Sequence, residues 1–243
     1  MGSPQPGELK RGRTAFRERR WCAALEALQS ADEQQDLDAP DLERLAVTAH
    51  MLGEISLSDD TWARAHRRWV EVGSEQEAAR CAFWCGFGLI VRDQPARAGG
   101  WFARTEPADG SPTAYSIAPG ALQALFARRL EAAKESFTAM LPLAQRAEDP
   151  DLEVLSRLGL GQATIGLGEV TAGLAMLDEA MVAIVAGEVA PLVTGLVYCA
   201  TIECCHEIWD LDRAREWTAA LARWVDEQPE LVADFVKVIA LVH

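Results

Sequence analysis

The chain contains no asparagine, and three lysines stand beside twenty arginines, the bias that GC-rich codons produce; a bacterial source of high GC content is expected. Uninterrupted apolar runs are short. A membrane span needs about 18 such residues, and the nearest candidate, 189–205, already contains Glu203 and is followed by Glu207. No membrane partner is expected. The first residues lack the apolar core of a secretory leader, so a cytoplasmic location is expected. In a reducing compartment the six cysteines, Cys22, Cys81, Cys85, Cys199, Cys204 and Cys205, read as small buried hydrophobes, not disulfides. Positive charge is scarce as well. A net charge of −14 repels a phosphate backbone, and the one basic cluster, from Lys10 to Arg20, reads as a solvated helix face. No nucleic acid is expected to bind this chain alone.

Hydrophobic residues make up 49% and charged residues 25%, enough for a packed core and far from the composition of a disordered chain. Strand-like alternation is lacking, and a helical unit recurs about every 41 residues. A turn such as Leu52-Gly53-Glu54 or Leu167-Gly168-Glu169 closes one helix, and an alanine, Ala65 or Ala180, follows 12 positions after the glycine. Gly12 with Ala24 and Asp210 with Ala222 repeat the pattern in weaker form. The periodicity predicts an all-α, tetratricopeptide-like helical-hairpin solenoid of about six hairpins, in which each core is completed by the neighbouring hairpin.

Residues 1–7 are expected to be a disordered lead-in, and 8–243 a helical-repeat domain. Pro40 and Pro150 suit first helical turns, where a missing N–H is harmless. Ser74 with Glu77 has capping-box spacing. Three prolines, two glycines and two serines over 105–120 predict the longest loop, and Pro142 is expected to kink a helix. After Pro229 only an incomplete hairpin remains, 229–243, whose apolar Phe235 and Ile239 would lack a covering helix.

Chemistry-bearing patterns are sparse. Cys199, Cys204, Cys205 and His206 have metal-like residue types, but no second pair at zinc spacing accompanies them. His50 and His66 have no nucleophile motif near them, and Gly86–Gly88 and Gly159–Gly161 lie in apolar helical pattern rather than in a phosphate loop. No enzyme, cofactor or metal site is expected. In such arrays the first helices line the concave face, so His50, Gln162, Glu203 and Glu207 are the candidate partner-binding residues. Trp69, Trp101 and Trp224 are candidate partly exposed anchors, and Phe235 and Ile239 a candidate self-association surface.

The periodic Gly and Ala positions resemble tetratricopeptide repeats at a longer spacing than the usual 34 residues. The runs GRTAFRERRWCAALEAL, LERLAVTAHMLGE, AARCAFW, GLAMLDEAMVAIVAGEVAPLVTGLVYCATIE and RAREWTAALARWVDEQPELV also resemble the helical region of bacterial LuxR-type transcriptional regulators. In that family the repeats precede a helix-turn-helix domain, which is not among the residues of this chain. The resemblance implies an interaction or sensor module of a transcriptional regulator, binding a protein, a peptide or a small effector. The alternatives are a free-standing adaptor and, behind it, an all-helical enzyme or metal sensor.

Overall fold

A computed structural model describes residues 7–228 and 230–231. The described residues hold twelve α-helices, one 3-10 turn and no strand, so the chain is all-α. They pair in chain order as α1 (Gly7–Arg17) with α2 (Trp21–Gln34), α3 (Ala39–Met51) with α4 (Ile55–Glu71), and α5 (Glu75–Val91) with α6 (Pro95–Phe102). After a 3-10 turn at Ala103–Thr105 come α7 (Ala114–Phe126) with α8 (Leu130–Arg146), α9 (Pro150–Gly166) with α10 (Val170–Ala186), and α11 (Pro191–Glu207) with α12 (Leu211–Asp226). These are the six hairpins of the sequence reading.

Each hairpin turns through three residues, the middle one left-handed: Arg19, Gly53, Asp93, Arg128, Gly168 and Trp209. The N–H after it returns to the carbonyl five residues back, as Glu54 N does to Ala49 O (2.8 Å) and Asp210 N to Cys205 O (2.9 Å), the Schellman closure that satisfies otherwise orphaned carbonyls. Glycine adopts this conformation without strain, and Gly53 and Gly168 were legible for that reason. Two weaker repeat members need correction. Gly12 lies inside α1 and is buried, and Asp210 follows the left-handed Trp209. The spacing is also uneven, ranging from 34 residues (Arg19 to Gly53) to 41 (Gly168 to Trp209).

Counting from the left-handed residue gives a register common to all hairpins. Five positions on stand Ala24, Ser58, Ala98, Ala133, Gly173 and Ala214, all small and all buried. Seven positions back stand Gly12, Ala46, Gly86, Ala121 and Gly161, with Ile202 in the last hairpin, and these too are buried. Small residues let the two helix backbones approach. Ser58 Oγ donates to Ala46 O at 2.9 Å, and a Cβ placed on Gly173 would stand 2.7 Å from Gly161 O. Twelve positions on, Ala65 and Ala180 are fully buried as expected, but Met140 and Leu221 occupy the same place, so that position demands burial and tolerates size.

Contacts group the described residues into two compact units. The first comprises 7–101 and the residues from Ala222 on; the second comprises 102–221. In the first, ion pairs link successive hairpins. Arg13 grips the fully buried Asp41 through Nε (2.8 Å to Oδ1), with Arg44 2.6 Å away on the same oxygen. Arg64 binds both oxygens of Asp32 at 2.6 and 2.7 Å, the fork-on-carboxylate geometry that suits arginine. In the second, hairpins interlock through packing. The far end of the Phe137 ring of α8 occupies the space over Gly159 of α9, where a Cβ would meet it at 2.2 Å, and Leu130 covers Gly166 in a similar way.

Two local expectations change. The loop ends sooner than 105–120, because Thr113 and Ser116 form a reciprocal capping box that starts α7 at Ala114; Pro119 is carried inside that helix. A capping box satisfies two of the orphan donors of the first turn, and the proline composition outweighed this signal in the sequence. Ser74, by contrast, makes no side-chain cap. Helix α8 runs on through Pro142. Both first-turn prolines behave as expected: Asp38 caps α3 through Asp41 N at 2.9 Å, and Asp149 caps α9 through Leu152 N at 3.0 Å while also accepting from Tyr115 Oη at 2.9 Å.

Candidate functional site

The second unit presents a surface built from its first helices. Helix α7 packs beside α9, and α9 beside α11, so equivalent register positions fall in rows across the three. Thirteen residues before the turn centre stand Tyr115, Leu155 and Leu196; ten before it, Ala118, Leu158 and Cys199; six before it, Leu122, Gln162 and Glu203. On α9 the half-buried Asp151, Leu155 and Gln162 share one helix face with the buried Leu158, at the i, i+4, i+7, i+11 spacing. Leu122, Leu155, Gln162, Leu196 and Cys199 are each half-buried, and Glu203 is exposed. Leucines left half-open beside a few polar groups suit capture of an apolar surface.

Two of the sequence candidates thus come together. Gln162 and Glu203 share one row, and Glu207 lies one helical turn beyond Glu203, exposed on the same face of α11. His50 belongs to α3 in the first unit, where it is half-buried, so the structure does not bring it to this surface. Trp69 is on a second helix, α4, where it is half-buried and its indole Nε1 donates to Glu43 at 2.5 Å. Trp224 is corrected: it is 8% exposed. Trp101 is half-buried, its ring edge-on to His66, whose Nδ1 donates to Ala78 O at 2.9 Å. Phe235 and Ile239 lie outside the described residues. The exposed tryptophan that the sequence did not single out is Trp209, 82% exposed on the α11–α12 turn.

The cysteines divide. Cys22 is exposed, against the expectation of burial; Cys199 is half-buried and the other four are buried. Burial, with Glu203 beside it, pushes the Cys199 thiol up to about 12, and burial raises Cys204 to about 12 and Cys205 to about 11. At neutral pH these thiols are held protonated and lack the thiolate of an activated nucleophile. Among the described residues no group of three His, Cys, Asp or Glu side chains is placed to hold a metal. No described helix is long and apolar enough to cross a membrane.

On the matching face of the first unit several charges are paired within the chain. Arg80 makes a two-pronged contact with Glu43 (3.0 and 2.8 Å), and Arg13 holds Asp41. Burial alone would raise the Asp41 carboxyl, but the Arg13 hydrogen bonds and the charges of Arg13 and Arg44 hold it below its ordinary range. The half-buried apolar residues there are Phe16, Phe87 and Ile90.

No protein-family model matches the chain, and no curated protein matches it in sequence. Among solved structures it is similar to the apo form of RapI, with TM-score 0.55 and 11% identity, over 97% of this chain and 73% of that one. It is also similar to a Rap protein complexed with competence and sporulation factor (TM-score 0.48, 13% identity), covering 97% of this chain but only 57% of that protein's length. A tetratricopeptide repeat protein from Parabacteroides merdae aligns at TM-score 0.45 and 12% identity, over 97% of both chains. At such identities the likeness to RapI is one of fold, and the fold is the helical-hairpin array described above.

Proposed function

We propose that the chain is a non-catalytic helical-repeat module that binds a protein or peptide through the open face of α7, α9 and α11, within a transcriptional regulator of the LuxR type. The observation that carries the binding reading is the set of half-buried leucines on the first helices, Leu155 and Leu196 in one row and Leu122 in the row of Gln162 and Glu203. Supporting it, the polar groups of that face belong to recognition chemistry: an amide at Gln162, carboxylates at Glu203 and Glu207, and a protonated thiol at Cys199. Binding there would act through differential affinity for two arrangements of the array, which is how a repeat module without bond chemistry biases an attached domain.

A photo-crosslinking residue placed at Gln162 tests the face, with Val182 as the control, since Val182 is 70% exposed on the second helix α10. In cells of the source organism a discrete adduct is expected at Gln162 and not at Val182. Equal patterns at both positions, or none at Gln162, would refute the face. The regulatory setting has its own test. A coding sequence that continues beyond His243 into a helix-turn-helix supports it, and a stop codon there favours the free-standing adaptor.

A further inference from the structure

We infer that the partner of the α7–α9–α11 face is a cationic amphipathic segment of protein, which sets apolar side chains over Leu122, Leu155 and Leu196 and lysine or arginine side chains over Glu203 and Glu207. The inference rests on the binding reading above and adds the chemistry of the occupant.

The charge inventory of the face carries it. Helix α7 has no charged side chain. On α9, Asp151 is occupied by the N–H of Ala190 at 2.8 Å, and Arg157 is paired with Glu153 at 2.5 Å, with Glu179 3.4 Å away. On α11 the open stripe is apolar in its first half, at Leu196 and Cys199, and acidic in its second, at Glu203 and Glu207. Both carboxylates are exposed, and neither has a cationic partner among the described residues. The face therefore offers two negative charges at one end of an apolar surface and no positive charge to balance them.

The first helices of the first unit show the other outcome. There Glu43 is matched by Arg80, and Asp41 by Arg13 and Arg44, within the chain itself. Glu203 and Glu207 lack that internal partner. An occupant that covers the leucines must draw water away from these carboxylates, which disfavours a neutral or anionic segment and favours one that supplies the missing cations. A polyphosphate chain or an anionic lipid surface is excluded by the same sign.

The test uses the full chain and two fluorescein-labelled peptides, one of leucine and lysine at helical spacing and one with glutamate in place of lysine. Fluorescence anisotropy is read across an ionic-strength series. The leucine–lysine peptide should bind, and the variant carrying Glu203→Gln and Glu207→Gln should bind it about tenfold more weakly with a flatter salt dependence. The control is Glu131→Gln with Glu135→Gln, two exposed carboxylates on α8, which changes net charge equally and should leave the affinity as it was. Equal weakening by the two double variants would assign the effect to bulk charge and overturn the proposal. So would an unchanged affinity in the Glu203/Glu207 variant, equal binding of the leucine–glutamate peptide, or no binding of the lysine peptide. Those results leave the Gln162 crosslink standing, whereas loss of that crosslink removes the face itself. All four substitutions are at exposed positions, and circular dichroism verifies the fold of each variant.

Discussion

Gly173→Ala is the sharpest test of the hairpin register. A Cβ at this position would stand 2.5 Å from Ile165 Cγ1, 2.7 Å from Gly161 O and 2.9 Å from Ile165 N. Two of those three atoms are backbone of α9, so relief requires moving the helix and not a side-chain tip. Overpacking of this kind costs about 1–3 kcal/mol. Against it stands the helix-propensity gain of alanine over glycine, about 1 kcal/mol in a helix interior. The net expectation is a loss of up to about 2 kcal/mol, or several degrees in Tm at roughly 2–4 °C per kcal/mol for a chain of this size. Gly120→Ala isolates the opposing effect, because Gly120 is also helical and has nothing within 4 Å of its would-be Cβ. That variant should gain about 0.5–1 kcal/mol. Thermal melts followed by circular dichroism compare the two directly. If Gly173→Ala melts at or above the parent while Gly120→Ala rises, α9 and α10 do not cross where the register puts them.

Arg13→Ala should destabilise by about 1–3 kcal/mol, below the full value for a broken buried pair because the Arg13 side chain is 44% exposed and Arg44 remains. Since the Asp41 carboxyl lies below its ordinary 3.8 in the folded state, the pair's contribution is complete above that value and disappears as pH falls through the folded one; a urea-midpoint gap between parent and variant that persists undiminished in strong acid would contradict this. The Glu230 carboxylate accepts the Cys22 N–H at 2.7 Å, and burial followed by Glu230 raises the Cys22 thiol. Glu230→Ala should therefore lower that value and speed iodoacetamide labelling of Cys22 several-fold at neutral pH, and an unchanged rate would show that the contact is not formed in solution. Trp209 holds φ 61° while 82% exposed, and a left-handed non-glycine costs about 1–2 kcal/mol; after glycine's larger unfolded-state entropy, Trp209→Gly should leave stability unchanged or raise it by up to about 1 kcal/mol, and a clear loss would mean that the indole packs.

The fold was legible because its determinants recur. Glycine at the left-handed position exposed the turns at Gly53 and Gly168, and buried alanines at Ala65 and Ala180 gave the pitch. The other four turns adopt the same backbone with Arg19, Asp93, Arg128 and Trp209, residues whose strain is offset by the Schellman hydrogen bonds and by packing on either side. Nothing local marks them. The small residue five positions after each turn was the better signal, visible once the turns are aligned and hidden while Gly12 and Asp210 stood in for turn centres. Pro119 misled for a related reason: proline weighs heavily in any local reading, yet the Thr113–Ser116 box three residues earlier had already started the helix. Trp224 looked like an anchor because a tryptophan's exposure depends on tertiary neighbours that no local pattern reveals.

The candidate site was legible only in part, and the register explains which part. Positions that every hairpin needs, the small residues at the crossing and the apolar ones around it, carry no information about a ligand because any ligand-free stack of hairpins requires them. Information about a partner resides where hairpins share geometry but differ in chemistry. Six residues before the turn centre the chain reads Arg13, Val47 and Phe87 in the first unit and Leu122, Gln162 and Glu203 in the second. Periodicity cannot favour any of these types at that place, so their identities are free to answer to something outside the hairpin. Of the two charged ones, Arg13 is bound to Asp41 and serves the fold; Glu203 is exposed with no cation beside it among the described residues. A charge at a variable, open position that the fold does not neutralise is the strongest pointer to a partner that this architecture can give, and it is why Glu203, with Glu207 one turn further on, carries the experiment.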